Sequence, residues 1–387
     1  MDPPLTAHRT ADQPIPPAPL VSSCLMPRVA VDLLSYTGTK GGMETYAREL
    51  YREIGRLGSE FEFVGLASKE GYQLDRSWFP GDMIDTGITG ENRFRWAIGE
   101  LWSIGRIAKR HRADLLHCPA LLGPARSSMP TVISMHDMLY WSQPQMMSTP
   151  AFTEPVKFME RLGARNASRM ITISEVSRRE IITYLGFPAD RIDLIPLAGT
   201  ALPMGERRPD KEHPFILATG NRRPHKNWAG LIRALPLVDE AIRPRVVITG
   251  SHGEDPLRAV VDEVGMHDWV ELRSWLTSEE LGHLYETATA LAMPSFHDGF
   301  SLPALEAMMA GLPVLISDIP VYREVAGDAA EYFDPHSLES IATAMTTAVS
   351  DPARMAELAD QGRERAKQFS WERVATRTLE TFRTTLA

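Results

Sequence analysis

Two carboxylates stand eight residues apart in the run MPSFHDGFSLPALEAMMAGLPVLIS, Met293 to Ser317: Asp298 beside Gly299, and Glu306 inside an otherwise apolar stretch. The residues ALAMPS read as the end of a buried strand, FHDGF as a turn, and Ser301 as the N-cap of a helix with Pro303 in its first turn. The start of such a helix offers unpaired backbone N–H groups and a partial positive charge, a ready anion site. Asp298 falls just before that end and Glu306 about one turn inside it, so both can face one ligand bound over the helix start. Amides for an anion and carboxylates for hydroxyl groups describe a phosphate joined to a polyol, as in a nucleotide sugar. A plainer reading makes Asp298 a helix-dipole residue and Glu306 a surface residue. The apolar run around Glu306 speaks against a solvated face.

Other residues could serve the same chemistry. TGNRRPHKNWAGL, Thr219 to Leu231, leaves a candidate strand and brings Arg222, Arg223 and Lys226 to its carboxyl end. Fixed cations neutralise the charge that develops on a departing diphosphate without help from a metal. Lys226 is one such cation and Arg222 the favoured second; the other reading makes one of the arginines a solvated loop charge. Gly41 and Gly42, in TGTKGGMETYA, stand at the mouth of a helix, where bare backbone lets a phosphate or an acceptor approach closely. Glycines also occupy strand–helix turns for geometric reasons alone, and no G-x-G-x-x-G is present. His136 ends the strand TVISMHD, either as a reactive group or as a cap bonded to backbone, whereas His117 in LLHC reads as structural. RFRWAIGELWSIGRIAKRHR, Arg93 to Arg112, is a helical pattern with Trp96, Trp102 and six basic residues. It could lie on an anionic membrane surface, apolar face down. The ordinary alternative is a helix packed on the sheet.

These residues need elements to hold them. At 387 residues the chain is long enough for two cores. From Pro27 short apolar runs (RVAVDLL, FEFVGLA, ADLLHC, TVISMHD, RMITIS) alternate with helical patterns, the signature of a parallel, doubly wound sheet. LPMGERRPDKEH, Leu202 to His213, reads as a linker, after which FILATG, RVVITGS, WVELRSW, ALAMPS, PVLIS and AEYFDP repeat the alternation. The expected organisation is a disordered tail over residues 1–26, one domain over 27–205, a second over 212–370, and a closing helix over 371–387. Met26 is a candidate start of the chain. Two such α/β domains face a cleft at the carboxyl ends of their strands, where ligands bind in this architecture. A formal net charge of −9 makes nucleic acid a poor partner. Two cysteines, Cys24 and Cys118, and no apolar run of membrane-spanning length suit a cytoplasmic protein, with the basic helix as the route to peripheral contact with the inner face of a membrane.

The chain resembles the retaining GT-B glycosyltransferases of family 4. That family reads Glu-Gly-Phe-Gly-Leu-Pro-x-Leu-Glu-Ala where this sequence has Asp298-Gly-Phe-Ser-Leu-Pro-Ala-Leu-Glu306-Ala. The stretches SWLTSEELGHLYETATALAMPSF, VYREVAGDAAEYFDP and FSWERVATRTLETF are similar to the family's as well. The resemblance implies two Rossmann-like domains, a nucleotide-sugar donor held mainly by the second, and no metal or other cofactor. It assigns Asp298 to the hydroxyls of the transferred sugar, Glu306 to the ribose, and the amides of Phe300, Ser301 and Leu302 to phosphate. Lys226 and Asn227 match the family's Arg-Lys-Asn, with His225 in place of the arginine. A paired glycine like Gly41–Gly42 and a His-Asp like His136–Asp137 occur in the family too, the histidine close to the reacting carbon. The implied reaction moves a hexose with retention, the leaving phosphate helping to deprotonate a glycan or lipid-linked acceptor. The His-Asp and Lys-Asn details are most similar to bacterial mannosyltransferases of surface polysaccharide, which makes GDP-mannose the first donor. The rival readings are a non-catalytic partner subunit and a sugar-nucleotide epimerase on the same fold.

Overall fold

The computed structural model describes residues 26–38, 41–147 and 153–387. Of the expected N-terminal tail only Met26 falls among them, and Thr39 and Lys40 of the glycine-bearing loop lie outside them. Seven strands form the first sheet: β1 (Arg28–Leu33), β2 (Glu62–Ala67), β3 (Gly81–Asp85), β4 (Leu115–Cys118), β5 (Thr131–Ser134), β6 (Arg169–Thr172) and β7 (Ile192–Leu194). Six form the second: β8 (Phe215–Thr219), β9 (Arg245–Ser251), β10 (Val270–Ser274), β11 (Ala290–Met293), β12 (Val314–Ser317) and β13 (Glu331–Phe333). Every pairing is parallel. The central strands TVIS, ALAM and VLIS are buried along their whole length, as parallel strands covered on both faces must be. GDMID and IDL became strands without an apolar run, because β3 and β7 are edges that keep contact with solvent.

Strand order decides which loops meet. The first sheet runs β3-β2-β1-β4-β5-β6-β7 and the second β10-β9-β8-β11-β12-β13, so chain direction across the sheet reverses between β1 and β4 and between β8 and β11. Loops diverge at such a point and leave a crevice at the carboxyl ends of the strands. In the second sheet the two loops at the crevice are the one after β8, carrying Lys226, and the one after β11, carrying Asp298. Their strands pair directly, Ile216 with Ala290 and Leu217 with Leu291.

The helix Gly42–Leu57 buries Tyr46, Ala47, Leu50, Tyr51 and Ile54, spaced so that one face meets the first sheet. Gly41 enters it at φ 67°, a left-handed backbone that a side chain would strain. The closing helix Trp371–Leu386 buries Val374, Leu379 and Phe382 and lies against the helix Gly42–Leu57. Phe382 meets Phe61 and His117 at ring-centre distances of 6.0 and 5.2 Å, and Thr381 Oγ1 donates to Asp193 Oδ2 at 3.0 Å. The last helix of the chain therefore belongs to the first sheet's packing. The expected linker, Leu202 to His213, has no regular structure and is pinned to the second domain, Arg207 donating to the carbonyls of Tyr285 (2.6 Å) and Ala288 (3.0 Å).

The pattern from Arg93 to Arg112 reads as one helix; the structure splits it. Arg93–Ile98 and Ile104–Arg110 are α-helical, and Gly99–Ser103 between them is a π-helical turn. Glu100 is buried in that turn and accepts from Trp96 Nε1 at 2.6 Å.

Polar contacts join the two domains. Glu324 in the helix Pro320–Ala326 accepts the backbone N–H groups of Glu175 (2.7 Å) and Val176 (3.2 Å), so a second-domain carboxylate caps the first-domain helix Glu175–Leu185. Among the described residues no helix is long and apolar enough to cross a membrane.

Candidate active site

The loop after β11 carries the acidic residue that opens the site. Asp298 Oδ2 accepts from Lys226 Nζ at 2.6 Å and from Tyr322 Oη at 3.0 Å, while Oδ1 accepts from the Gly299 amide at 3.1 Å. Tyr322, fully buried, also has Ser295 Oγ 2.9 Å from its Oη, the serine donating, which ties the helix Pro320–Ala326 to this turn. Lys226 and Asp298 are both largely shielded from solvent, so each is the other's charge partner.

The helix expected after the turn is Leu302–Ala310, with Pro303 in its first turn. Its cap differs from expectation. Ser301 has φ −145° and ψ 85°, its side chain makes no capping bond, and its Oγ is buried without a partner. Among the described residues no protein acceptor takes the amides of Phe300, Ser301 or Leu302. A ligand anion meets three open donors there.

Glu306 lies one turn into this helix and faces the crossing between the domains, its Cγ close to Gly199. Burial pushes its carboxyl up to about 7, against the lowering pull of the Thr200 backbone. It can therefore change charge near neutral pH. Thr200 Oγ1 is buried and unpartnered.

The cations divide differently from expectation. Arg222 does not turn toward the site. Its guanidinium lies in a bidentate pair with Asp255 (2.8 to 3.1 Å) and donates to the carbonyls of Thr249 (2.7 Å), Ile248 (3.1 Å) and Gly220 (3.1 Å). An arginine whose donors are all taken by a buried carboxylate and the end of β9 is a structural staple. Arg223 beside it is exposed, and its positive charge is felt by both Asp137 and His225. His225, where the resembling family has arginine, is buried; burial first and the Lys226 charge second push its pKa down to about 3, so it is neutral. Its carbonyl accepts the Phe296 amide at 2.8 Å and so fastens the Lys226 loop to the Asp298 loop.

The first domain completes the crevice. His136 follows β5, and its ring stands edge-on to Tyr46 with centres 4.6 Å apart. Its Nε2 is buried without a partner, and burial lowers its pKa to about 4, leaving a neutral imidazole. Asp137 is pushed up by burial and accepts the Leu139 amide at 3.1 Å. The His136 carbonyl and Asp137 Cβ press on Gly299: a Cβ added there would stand 2.5 Å from the carbonyl oxygen. Gly42 faces Leu302, and Gly41 faces the ring of Trp275, so the paired glycines lie opposite the helix start. His117 lies in the core, its ring nitrogens meeting Tyr51 Oη (2.6 Å) and Ser134 Oγ (3.0 Å).

The structure thus gathers Lys226, Asp298, the amides of Phe300 to Leu302, Glu306, His136, Gly41 and Gly42 around one crevice, and leaves Arg222 outside it. Tyr322, His297 and Trp275 join these residues unannounced by the sequence motifs. Tyr322 and His297 act through partners far along the chain and give no local signal. Trp275 did give one, an aromatic residue at the end of a strand; it is exposed and stacks on His252 at 5.3 Å.

Known proteins resemble the chain in both of its domains. The family model described as glycosyl transferases group 1 matches residues 204–368, and that of glycosyltransferase family 4 matches residues 40–198. The chain is 30% identical to the O-antigen chain mannosyltransferase B of Escherichia coli, over 70% of this chain and 74% of that protein. It is 26% identical to an MMP alpha-(1->4)-mannosyltransferase of Mycolicibacterium hassiacum, over 92% and 98%. In structure it is similar to Anabaena HepE, solved in complex with UDP-glucose, with a TM-score of 0.72 at 18% identity, covering 93% of this chain and all of that one. Matched by the family's models in both halves and 30% identical to one mannosyltransferase, the chain, with its two Rossmann-like domains of GT-B form, belongs to glycosyltransferase family 4 and is a glycosyltransferase.

Proposed function

We propose that the protein moves a hexose, with mannose first, from a nucleoside-diphosphate sugar to a glycan or lipid-linked saccharide, with retention and without a metal. The observation that carries this reading is the Lys226–Asp298 pair at the mouth of a helix with three open amides. A diphosphate seated on the amides of Phe300, Ser301 and Leu302 competes with Asp298 for Lys226. Asp298, so released, accepts hydroxyls of the sugar, while Glu306 takes the ribose. Arg223 stands in for the neutral His225 as the second cation. Fixed positive groups of this kind stabilise a leaving diphosphate in place of a metal. His136, neutral and with Nε2 free, meets a hydroxyl of the sugar near its reacting carbon. As the C1–O bond to the diphosphate breaks, the acceptor oxygen bonds to C1 from the same face and its proton passes to the departing phosphate oxygen.

Mannose is supported by the mannosyltransferase relatives and a polysaccharide acceptor by the O-antigen relative; GDP-mannose is the first donor of this reading. Purified protein incubated with a panel of nucleotide sugars, with and without EDTA, tests the whole. The expected outcome is donor cleavage highest with GDP-mannose and unchanged by EDTA, with the product's anomeric configuration, read by NMR, equal to the donor's. Abolition by EDTA with rescue by Mn²⁺, or an inverted product, overturns the mechanism.

A further inference from the structure

The split helix from Arg93 to Arg110 has a face that the reaction does not use. Ala97, Leu101, Ile104 and Ala108 point into the first domain. Phe94, Ile98 and Trp102 point out, with 67%, 59% and 52% of their surfaces exposed. They follow one another at four-residue intervals, and Arg106 and Arg110 continue the same line, also exposed. Apolar side chains of this size, lined up on one exposed ridge, mark a contact surface.

The charge around the ridge identifies what it contacts. The chain carries −9 overall, yet Arg95, Arg106, Lys109 and Arg110 surround these apolar residues, and the one acidic residue between Arg93 and Arg112, Glu100, is buried. None of the four cations is in an ion pair among the described residues. Beside the ridge lies a pocket of about 250 Å³ lined in part by Lys69, Arg95 and Ser103, with two cations and one hydroxyl for a phosphate group; Thr89, also in its lining, already donates to Glu70 Oε1 at 2.5 Å. Its position is equally informative. Gly99 packs on Leu34, just past the end of β1, and on Ile88, so the ridge covers the strand ends from which the Gly41–Gly42 loop also leaves.

The geometry points to a docking face for an anionic lipid bilayer. Ile98, Trp102 and Phe94 enter the headgroup–acyl boundary, Arg106, Lys109 and Arg110 lie along the phosphates, and the pocket at Arg95 takes one headgroup. An amphipathic helix held in a bilayer surface has this division between apolar and basic residues. The inference deepens the proposed lipid-linked acceptor, since a protein docked this way sets its first domain on the membrane. Binding itself needs neither donor nor acceptor, so it is tested apart from transfer.

The full chain is sedimented with vesicles of phosphatidylcholine alone and of phosphatidylcholine with phosphatidylglycerol. Binding is expected only to the anionic vesicles and is expected to weaken with salt, each basic residue contributing roughly fivefold. Arg106→Glu with Arg110→Glu should abolish it. Ile98→Ser with Trp102→Ser should lower it by roughly tenfold or more. Donor cleavage in solution should stay at the wild-type rate in both double variants, which also reports that they fold. Failure of wild-type protein to bind anionic vesicles, or equal binding by the variants, overturns the proposal. A concentration-dependent dimer that the Ile98/Trp102 variant loses would assign the ridge to a second copy instead.

Discussion

His297 Nε2 lies 2.9 Å from Glu180 Oε1, so the residue before Asp298 is tied to a helix of the other domain. Ser142 Oγ stands 3.4 Å from the same nitrogen. Burial works against the imidazolium, but the bond and charge of Glu180, with Asp137 and Asp298 nearby, raise its pKa above the ordinary value. A base with a raised folded-state pKa contributes stability below its unfolded value, near 6.5, and loses it as pH rises through the folded one. Glu180→Gln should therefore lower stability at pH 6 by about 1–3 kcal/mol and much less at pH 9. Thermal unfolding of both proteins across that range checks it; a difference that grows with pH contradicts the pairing.

The two arginines after β8 should behave in opposite ways. Arg222→Ala strands Asp255 as a buried carboxylate, and breaking such a pair from one side costs about 3–5 kcal/mol. Its main effect should be on melting temperature. Arg223→Ala should melt like wild type and weaken donor use. If calorimetry and donor kinetics show the reverse, the second cation has been misplaced.

Lys226→Ala should fold and lose on the order of 10² to 10³ in turnover, since a fixed stabiliser of leaving-group charge is gone. Asp298→Ala should keep affinity for free nucleoside diphosphate, or gain some, because Lys226 is released from its partner; transfer should fall. Asp298→Glu extends the carboxylate by one methylene toward the crevice and should retain activity. Titration calorimetry with the free diphosphate, beside transfer rates, separates these roles. Equal loss of diphosphate affinity in Lys226→Ala and Asp298→Ala would make the pair a structural feature of the turn.

Glu306 should reveal itself through pH. Its folded-state pKa is raised to about 7, so between about 4.5 and 7 the folded protein holds a proton that the unfolded chain gives up. Stability linked to this residue accordingly falls as pH rises through that window. Glu306→Gln should match wild type at pH 4.5 and be more stable at pH 8, by about 1–3 kcal/mol. The same variant should bind nucleotide roughly tenfold to a hundredfold more weakly at pH 8, where the carboxylate would accept ribose hydroxyls. Loss of stability at pH 8 would show that the charged form is compensated in the protein.

Much of this was legible in the sequence where physics is local. The strands of the second sheet announce themselves as short apolar runs, and the strand–turn–helix order that carries Asp298 and Glu306 was legible as well, although Ser301 caps nothing with its side chain. The first sheet's edges were not legible, because β3 and β7 lack the burial that writes an apolar pattern. Nor was the π-helical turn at Gly99–Ser103, whose composition is that of any amphipathic helix. Arg222 misled because a loop arginine looks the same whether it meets solvent, a phosphate or a buried aspartate 33 residues on. His297 and Glu180 are 117 residues apart, and only the folded domains bring them together.

Gly299 makes one last consequence visible. Its missing side chain leaves room for the His136 carbonyl, which would otherwise meet a carbon at 2.5 Å. A single methyl group at this position would act as a doorstop, holding the jaws of the enzyme ajar. Such a variant would still seat a nucleotide on the helix start of the second domain. It would hold the His136 carbonyl away from the turn. The missing side chain at Gly299 therefore sets how near the first domain's His136 and the second domain's Asp298 turn can stand.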